Sequence, residues 1–102
     1  MSAVVYEVNL AVDAAVLAEY RAWLADHVAE ILALPGFTAA QTWDVVDPPA
    51  TGATAHLCVQ YWLHNADALA DYLRDHAPRL RADGIARFGE RVRATRRVLH
   101  QA

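Results

Sequence analysis

Hydrophobic and polar residues alternate along four segments of the chain, and a period of two is typical of β-strands that bury one face. The pattern is clearest from Leu57 to Leu63, where every second residue is apolar. A similar alternation places Tyr6 and Val8 on one side of an N-terminal segment and Glu7 on the other. The sequence therefore predicts strands at residues 4–12, 37–46, 55–63 and 91–99.

Between the first two predicted strands, apolar residues recur every three or four positions, which is the spacing of an amphipathic helix. Residues 14–34 contain neither Gly nor Pro and are rich in Ala and Leu, so their helix propensity is high. We expect Asp13 to cap the start of this helix and Pro35–Gly36 to end it. The predicted buried stripe consists of Leu17, Tyr20, Leu24, Val28 and Ile31.

A second helical region separates the last two predicted strands. Asn65 is suited to cap its start, and Asp67 in the first turn suits the helix dipole. Pro78 favours a new helical segment over about residues 78–88, because proline fits the first turn of a helix. The residues expected to face inward are Leu69, Leu73 and His76 on the first segment and Leu80, Ile85 and Phe88 on the second.

The predicted order of elements is βαββαβ, which is the order of the ferredoxin-like split βαβ unit. This places the chain in the α+β class, with a four-stranded antiparallel sheet and both helical regions on one face of it. With 102 residues, the chain has room for a single domain spanning residues 1–102.

No element of this chain is left to cover the other face of the predicted sheet. That face carries two tryptophans, which are too apolar to leave in water without a function. We therefore expect a second copy of the chain to cover it and form a two-fold symmetric homodimer. First and last strands are neighbours in this topology, so Glu7 is expected to pair with Arg93 or Arg97. The predicted dimer face consists of Glu7, Trp43, Gln60, Trp62, Arg93 and Arg97.

Composition narrows the class of protein further. Apolar residues make up 56% and charged residues 21% of the chain, which favours a folded core over disorder. The single cysteine, Cys58, excludes an internal disulfide framework and is typical of a reducing cytoplasm. The N-terminus lacks the basic region of a signal peptide, and no apolar run reaches the ~18 residues of a membrane span. We expect a cytoplasmic protein with no membrane partner.

Charge is distributed unevenly along the chain. Residues 1–75 carry ten acidic residues and two arginines, whereas residues 76–102 carry seven arginines, Asp83 and Glu90. The net charge is −3, and no base-stacking motif or glycine loop accompanies the arginines. We therefore expect no nucleic-acid binding and expect the arginines to pair with carboxylates, within or between chains.

Two short patterns, each with one histidine, contain side chains of the types used in acid–base catalysis or metal binding. His27 lies four residues after Trp23 and three before Glu30, so either Glu30 orients it for acid–base work or it packs on Trp23. His56 and Cys58 share one strand face, but no second ligand pair completes a metal site. We expect no bound metal.

The residues around Pro78 form the most site-like cluster. His76, Arg79 and Arg81 either meet an anionic ligand at the start of a helix, or serve as a cap and as surface partners of Asp75 and Asp83. The common nucleotide-binding, hydrolase and metalloprotease motifs are absent, so the residues assign no catalytic group.

Nearly the full length of the chain resembles a small bacterial family that is classed only as a domain of unknown function. The resemblance is carried by TyrGluValAsn at 6–9, by the helix end at 27–37, by ValGlnTyrTrpLeu at 59–63 and above all by residues 72–91. That family in turn is similar to the dimeric alpha-beta barrel group, which includes antibiotic biosynthesis and haem-degrading monooxygenases. The resemblance implies a homodimer of ferredoxin-like subunits.

The haem-degrading branch uses an asparagine on the first strand, an aromatic residue on the second helix and a later axial histidine. Asn9 and Tyr72 match the first two positions. Residues 81–83 hold no histidine, and His76 lies a turn or more too early. Because a haem site of this kind needs an axial ligand, we expect no haem and no other cofactor.

Two function classes remain. The first, which we favour because no residue trio has diagnostic spacing, is a homodimeric ligand-binding or assembly protein that holds a small anionic or apolar ligand. The second is a cofactor-independent monooxygenase-like enzyme acting on a small apolar substrate in a pocket between sheet and helices. Pocket volume separates them, since an oxygenase needs ~300 Å³ or more. The candidate ligand-binding residues are His76, Arg79, Arg81, His27, Asn9 and Tyr72.

Overall fold

The structure is a computed structural model that describes residues 3–102. Over this range, the elements are β1 (Val4–Asp13), α1 (Leu17–Leu32), β2 (Phe37–Asp44), β3 (Thr54–Leu63), α2 (Ala66–Asp75), α3 (Ala77–Phe88) and β4 (Val92–His100). Short 3-10 turns precede α1 and β4. The strands and helices lie where the pattern of apolar residues predicts them.

The four strands form one antiparallel sheet in the order β2-β3-β1-β4. This strand order, together with the order of the elements along the chain, is that of the ferredoxin-like α+β fold, as predicted. The register fixes the two faces of the sheet. Val8 lies between Val59 on β3 and Arg96 on β4, and its neighbour Glu7 lies between Gln60 and Arg97 on the opposite face.

The hydrophobic core lies between the Val8 face of the sheet and the three helices. Alternate residues of the two central strands supply the sheet side, and Leu57, Val59 and Leu63 are each 1% exposed. The helices contribute one buried face each, so all three pack on the same side of the sheet. The buried helical residues are Tyr20, Leu24 and Ile31 on α1, Leu69 and Tyr72 on α2, and Ala77, Leu80 and Phe88 on α3.

The predicted helix caps have mixed outcomes. Asn65 caps α2 as expected, since its side chain accepts a hydrogen bond from the backbone N–H of Ala68 at 2.9 Å. The prediction for Asp13 is wrong, because β1 continues to this residue and its carboxylate lies 3.6 Å from the guanidinium of Arg93 on β4. A 3-10 turn at Ala14–Val16 then leads into α1 without a side-chain cap.

Two predicted core positions are wrong. Leu73 is 36% exposed and Ile85 is 68% exposed. On α2 the inward face is set by Leu69 and Tyr72, three residues apart, which turns Leu73 towards solvent. Ile85 lies beside a gap between α3 and the sheet rather than in a filled core.

A bulge at the start of β2 changes which face its side chains take. Phe37 pairs with Leu63, but Ala39 already pairs with Trp62, so one extra residue is inserted between them. Strict alternation would place Phe37 and Trp43 on the same face. The bulge instead leaves Phe37 in the core and moves Trp43 to the opposite face.

Gly36 fixes the connection between α1 and β2. Its φ angle is +90°, a conformation that side chains disfavour. Its carbonyl accepts a hydrogen bond from the N–H of His64 at 3.0 Å. A Cβ atom at this position would lie 2.6 Å from the Cβ of Ala68 on α2. The close approach of the loop to α2 therefore requires glycine at this position.

Replacing Gly36 with alanine should lower the free energy of unfolding by about 3 kcal/mol, through the disfavoured φ angle and the clash with α2. Gly52→Ala is the matched control, because Gly52 has φ +66° but no atom within 4 Å of an added Cβ. That control should lose about 1 kcal/mol. Urea unfolding of both variants measures the difference, and equal losses would show that contact with α2 is unimportant.

Candidate functional site

A cavity of about 100 Å³ lies between the helices and the sheet, beneath α1 and α3. Tyr6, Tyr61 and Tyr72 line its inner part. Its outer wall includes Arg81 and Ile85 of α3, together with Ala94 and Arg96 of β4. These outer residues are exposed, so the cavity opens along the β4 edge of the sheet.

Small residues and one tryptophan explain why the cavity forms at this edge. Ala94 is the residue of β4 that faces Leu10 across the helix side of the sheet, and it leaves space that a larger side chain would fill. On the helix side, Trp23 of α1 reaches α3 at Gly84, where a Cβ atom would lie 3.1 Å from the indole. Trp23 therefore joins the two helices and forms one wall of the cavity.

Tyr20, Tyr61 and Tyr72 of the cavity carry neutral hydroxyls at physiological pH. Burial raises the pKa of both Tyr20 and Tyr72 to about 12 and raises the pKa of Tyr61 further. Among the described residues, the one hydrogen bond made by the hydroxyl of a cavity tyrosine is that of Tyr6, which accepts from Nη2 of Arg81 at 2.9 Å. The phenols thus offer polar groups to a ligand without adding charge.

His27 lies in the wall of the cavity and stacks on Trp23. The ring centroids are 4.4 Å apart with an angle of 19° between the ring planes. Burial lowers the pKa of His27, and the nearby carboxylates of Glu30 and Asp83 only partly oppose this effect. Glu30 accepts a hydrogen bond from Arg79 at 3.0 Å and makes none with His27 among the described residues. Of the two interpretations of His27, the contacts match packing on Trp23.

The structure brings three of the six candidate ligand-binding residues to the cavity, namely His27, Tyr72 and Arg81. Asn9 lies on the opposite face of the sheet and donates to Glu7 at 3.0 Å. Asn9, a candidate ligand-binding residue, therefore lies outside this cavity, since it alternates with Val8 and Leu10 along β1.

His76 and Arg79 also lie outside the cavity lining. His76 occupies the junction of α2 and α3, and Arg79 pairs with Glu30 of α1. The cluster expected around Pro78 is split, because α3 begins at Ala77 and successive helical positions point in different directions. Arg79 meets α1, whereas Arg81, two positions further along, meets Tyr6 on the sheet.

Sequence reasoning assigned no ligand-binding role to Tyr6, Tyr20, Tyr61 or Arg96, although all four line the cavity. The tyrosines resembled ordinary core residues on their strands and helix. Arg96 carried a usable signal, because it is a charged residue in the otherwise apolar register Val92, Ala94, Val98. A charge on the helix-facing side of a strand indicates either a gap in the core or a ligand.

The opposite face of the sheet is uncovered and holds a hydrogen-bonded network around Glu7. The Glu7 carboxylate accepts from Nε of Arg97, from Nδ2 of Asn9 at 3.0 Å and from Nε2 of Gln60 at 2.9 Å. Trp43 donates its indole N–H to Oε1 of Gln60 at 3.3 Å. Of the two partners expected for Glu7, Arg97 is the one that bonds to it, and Arg93 lies by Asp13 instead.

This network buries a charged group on a face that is otherwise open. Glu7 is 3% exposed, whereas Trp43 is 50% exposed. The hydrogen bonds from Arg97, Asn9 and Gln60 lower the pKa of Glu7 to about 2, although burial opposes them. The six residues named for this face, including Trp62 and Arg93, all lie on it in the strand register.

His56 and Cys58 lie on this same face of β3. Burial raises the pKa of the Cys58 thiol, and the neighbouring Glu7 carboxylate acts in the same direction. Within residues 3–102, no group of three or more His, Cys, Asp or Glu side chains is placed to hold a metal ion. The helices described here all fall short of the length and apolar character needed to cross a bilayer.

The chain belongs to the family described as "Domain of unknown function (DUF4286)", whose match spans residues 3–102. No curated protein matches it. The resemblance to an uncharacterised family is thereby confirmed.

The fold of this chain is similar to that of several solved structures. Rv0793 from Mycobacterium tuberculosis matches with a TM-score of 0.70 at 17% identity, covering 98% of this chain and 95% of that one. A Deinococcus radiodurans protein, provisionally classed as an antibiotic biosynthesis monooxygenase, matches at 0.69 with 14% identity, covering 97% and 90%. SnoaB, a cofactor-independent oxygenase from Streptomyces nogalater, matches at 0.63 with 15% identity, covering 100% and 93%. At these identities the likeness shows the fold alone.

Haem, which the wider group implies, does not fit this cavity. The cavity is lined by a single imidazole, that of His27, which is stacked on Trp23. A cavity of about 100 Å³ is too small for a porphyrin. Asn9, which matches the asparagine of haem-degrading enzymes in sequence, is on the other face of the sheet from Tyr72.

The Glu7 network predicts a loss of stability in acid. Because the pKa of Glu7 is about 2 in the folded chain and near 4.5 when unfolded, its contribution is complete above pH 4.5 and lost as the pH falls towards 2. After allowance for the exposed Arg97, the contribution is about 1 to 2 kcal/mol.

Urea unfolding between pH 6 and pH 3 tests this prediction with Glu7→Gln. The variant should be less stable than wild type at pH 6 and should lose less stability on acidification. Glu19→Gln, which removes an exposed carboxylate without an ion pair among the described residues, should keep the wild-type profile. Parallel pH profiles for wild type and Glu7→Gln would contradict the assignment.

Proposed function

We propose that the protein is a homodimer that binds a small ligand in the cavity of each subunit. The observation that carries this proposal is the cavity itself, in which polar groups of three kinds converge: tyrosine hydroxyls, the His27 imidazole and two guanidiniums. Concave sites with a few convergent polar groups in an apolar lining are the usual form of ligand sites.

The dimer is supported by the open face of the sheet. Trp43 and Trp62 lie there beside a network in which carboxylate, amide and guanidinium are already joined within the subunit. A second copy would therefore cover indole surface without leaving Glu7 unpaired. A two-fold axis also suits the face, because it lets one surface serve as both partners.

Binding without catalysis is favoured over the enzymatic alternative by volume and by chemistry. A cavity of about 100 Å³ falls short of the ~300 Å³ expected for an oxygenase, and it also restricts a bound ligand to a group smaller than an ordinary pocket holds. Its lining includes no carboxylate, and its one imidazole has a lowered pKa and no hydrogen-bonded partner carboxylate among the described residues. A general base with an orienting partner is therefore missing from the lining.

The alternative is a cofactor-independent monooxygenase-like enzyme acting on a small apolar substrate. It is favoured by the similarity in fold to SnoaB, which is described as a cofactor-independent oxygenase. Oxygen uptake in the presence of small apolar phenols distinguishes the two, since a binding protein consumes none.

Trp62→Lys should shift the protein from dimer to monomer, because a lysine charge would have to be buried in the contact. We expect the dimer dissociation constant to rise at least tenfold, measured by sedimentation equilibrium at micromolar concentration. Leu73→Lys, at a partly exposed apolar position on α2, is the matched control and should remain dimeric. Wild-type protein that sediments as a monomer would contradict the dimer.

Ala94→Leu should abolish ligand binding, because the larger side chain fills the cavity from β4. Thr95→Leu is the matched control, since the next residue of the same strand faces the opposite side of the sheet. Binding of benzyl alcohol, a small uncharged probe, is measured by titration calorimetry on both variants. Equal binding to wild type and Ala94→Leu would place the ligand elsewhere.

A further inference from the structure

We propose that the ligand of the cavity is a compact apolar carboxylate, whose charge is held by Arg81 and Arg96. This inference rests on the proposed function and specifies the chemical class of the ligand. It follows from how the charges of the chain are distributed around the cavity.

Most arginines of the chain already have partners within the described residues. Of the nine basic residues, all arginine, five pair with a carboxylate within 4.0 Å among the described residues; they are Arg21, Arg74, Arg79, Arg93 and Arg97. Arg91 donates to backbone carbonyls at the end of α3, and Arg87 lies over the ring of Phe88. Arg81 and Arg96 are left without a carboxylate in residues 3–102, and both line the cavity.

The cavity wall carries no negative charge. None of the lining residues is Asp or Glu. Tyr61 and Tyr72 stay protonated, and the His27 imidazole favours its neutral form. Glu30 and Asp83 lie near His27 but do not line the cavity, and Glu30 is already bonded to Arg79. The two guanidiniums therefore give the site a positive charge, which favours binding of an anion.

The apolar lining and the volume of the cavity indicate the uncharged part of the ligand. Leu24, Ile31, Val59 and Leu80 line the cavity together with the aromatic rings, so most of the wall is apolar. An engineered apolar cavity of ~150 Å³ holds benzene, so a cavity of about 100 Å³ holds part of a ring or a short branched chain. The mouth at Arg81 and Arg96 leaves the charged end at the surface, where desolvation costs least.

The hydrogen bond to Tyr6 holds the guanidinium of Arg81 in a fixed orientation. The Tyr6 hydroxyl is buried and accepts from one guanidinium nitrogen of Arg81, which leaves the other N–H groups of Arg81 free of hydrogen bonds among the described residues. A carboxylate accepts two parallel hydrogen bonds from such a fork. Arg96, at the centre of the helix-facing row of β4, approaches from the sheet side.

Titration calorimetry with benzoate and its uncharged analogue benzamide tests the inference. Wild-type protein should bind benzoate at least tenfold more tightly than benzamide, because charge-assisted hydrogen bonds are worth more than neutral ones. Arg81→Met and Arg96→Met keep the apolar stem and remove the charge. Each should weaken benzoate binding about tenfold and leave benzamide binding within twofold of wild type, which also shows that the variants are folded.

Arg87→Met is the matched control, since it removes a guanidinium from the same helix outside the cavity lining. It should bind benzoate like wild type, and inorganic phosphate alone should not compete with benzoate. Equal affinity for benzoate and benzamide would overturn the inference that the ligand is a carboxylate, but not the proposal that the cavity binds a ligand. If neither probe binds, nor does benzyl alcohol, the proposed function itself fails. Loss of benzoate binding in Arg87→Met, or strong competition by phosphate, would also overturn the inference.

Discussion

The structure depends on one constraint, which is that helices cover only one face of a four-stranded sheet. Side chains alternate along each strand, so every strand residue is committed either to the helix-covered core or to the uncovered face. The helix face receives Tyr6, Val8 and Leu10, and the other face receives Glu7 and Asn9. Both functional surfaces of the molecule, the cavity and the Glu7 network, follow from this division.

Most of the fold was predictable from sequence because its determinants are local. Alternation in β1 and β3, the helix-forming stretch of α1 and the Asn65 cap each identify an element without reference to the rest of the chain. The errors arose where tertiary contacts outweigh local preference. Asp13 belongs to β1 because its pairing with β3 continues to Thr54. On α2, Tyr72 rather than Leu73 faces the core.

The candidate site was less predictable because it is assembled from distant parts of the chain. Arg81 was recognised as part of a group around Pro78, but its contact is with Tyr6, 75 residues earlier. Local spacing cannot show which of two nearby arginines on α3 meets α1 and which meets the sheet. The small volume of the cavity likewise depends on Ala94, Gly84 and Trp23 together, and none of them is informative alone.

The arginines of β4 have a consequence for the solubility of the fold. Within the described residues, β4 pairs with β1 alone, so its outer backbone groups are free to recruit a strand from another molecule. Arg96, which has no carboxylate partner within residues 3–102, places a positive charge along this edge, and repulsion between identical edges opposes their pairing. The charge of Arg96 thus counts against association of identical chains into continuous sheets.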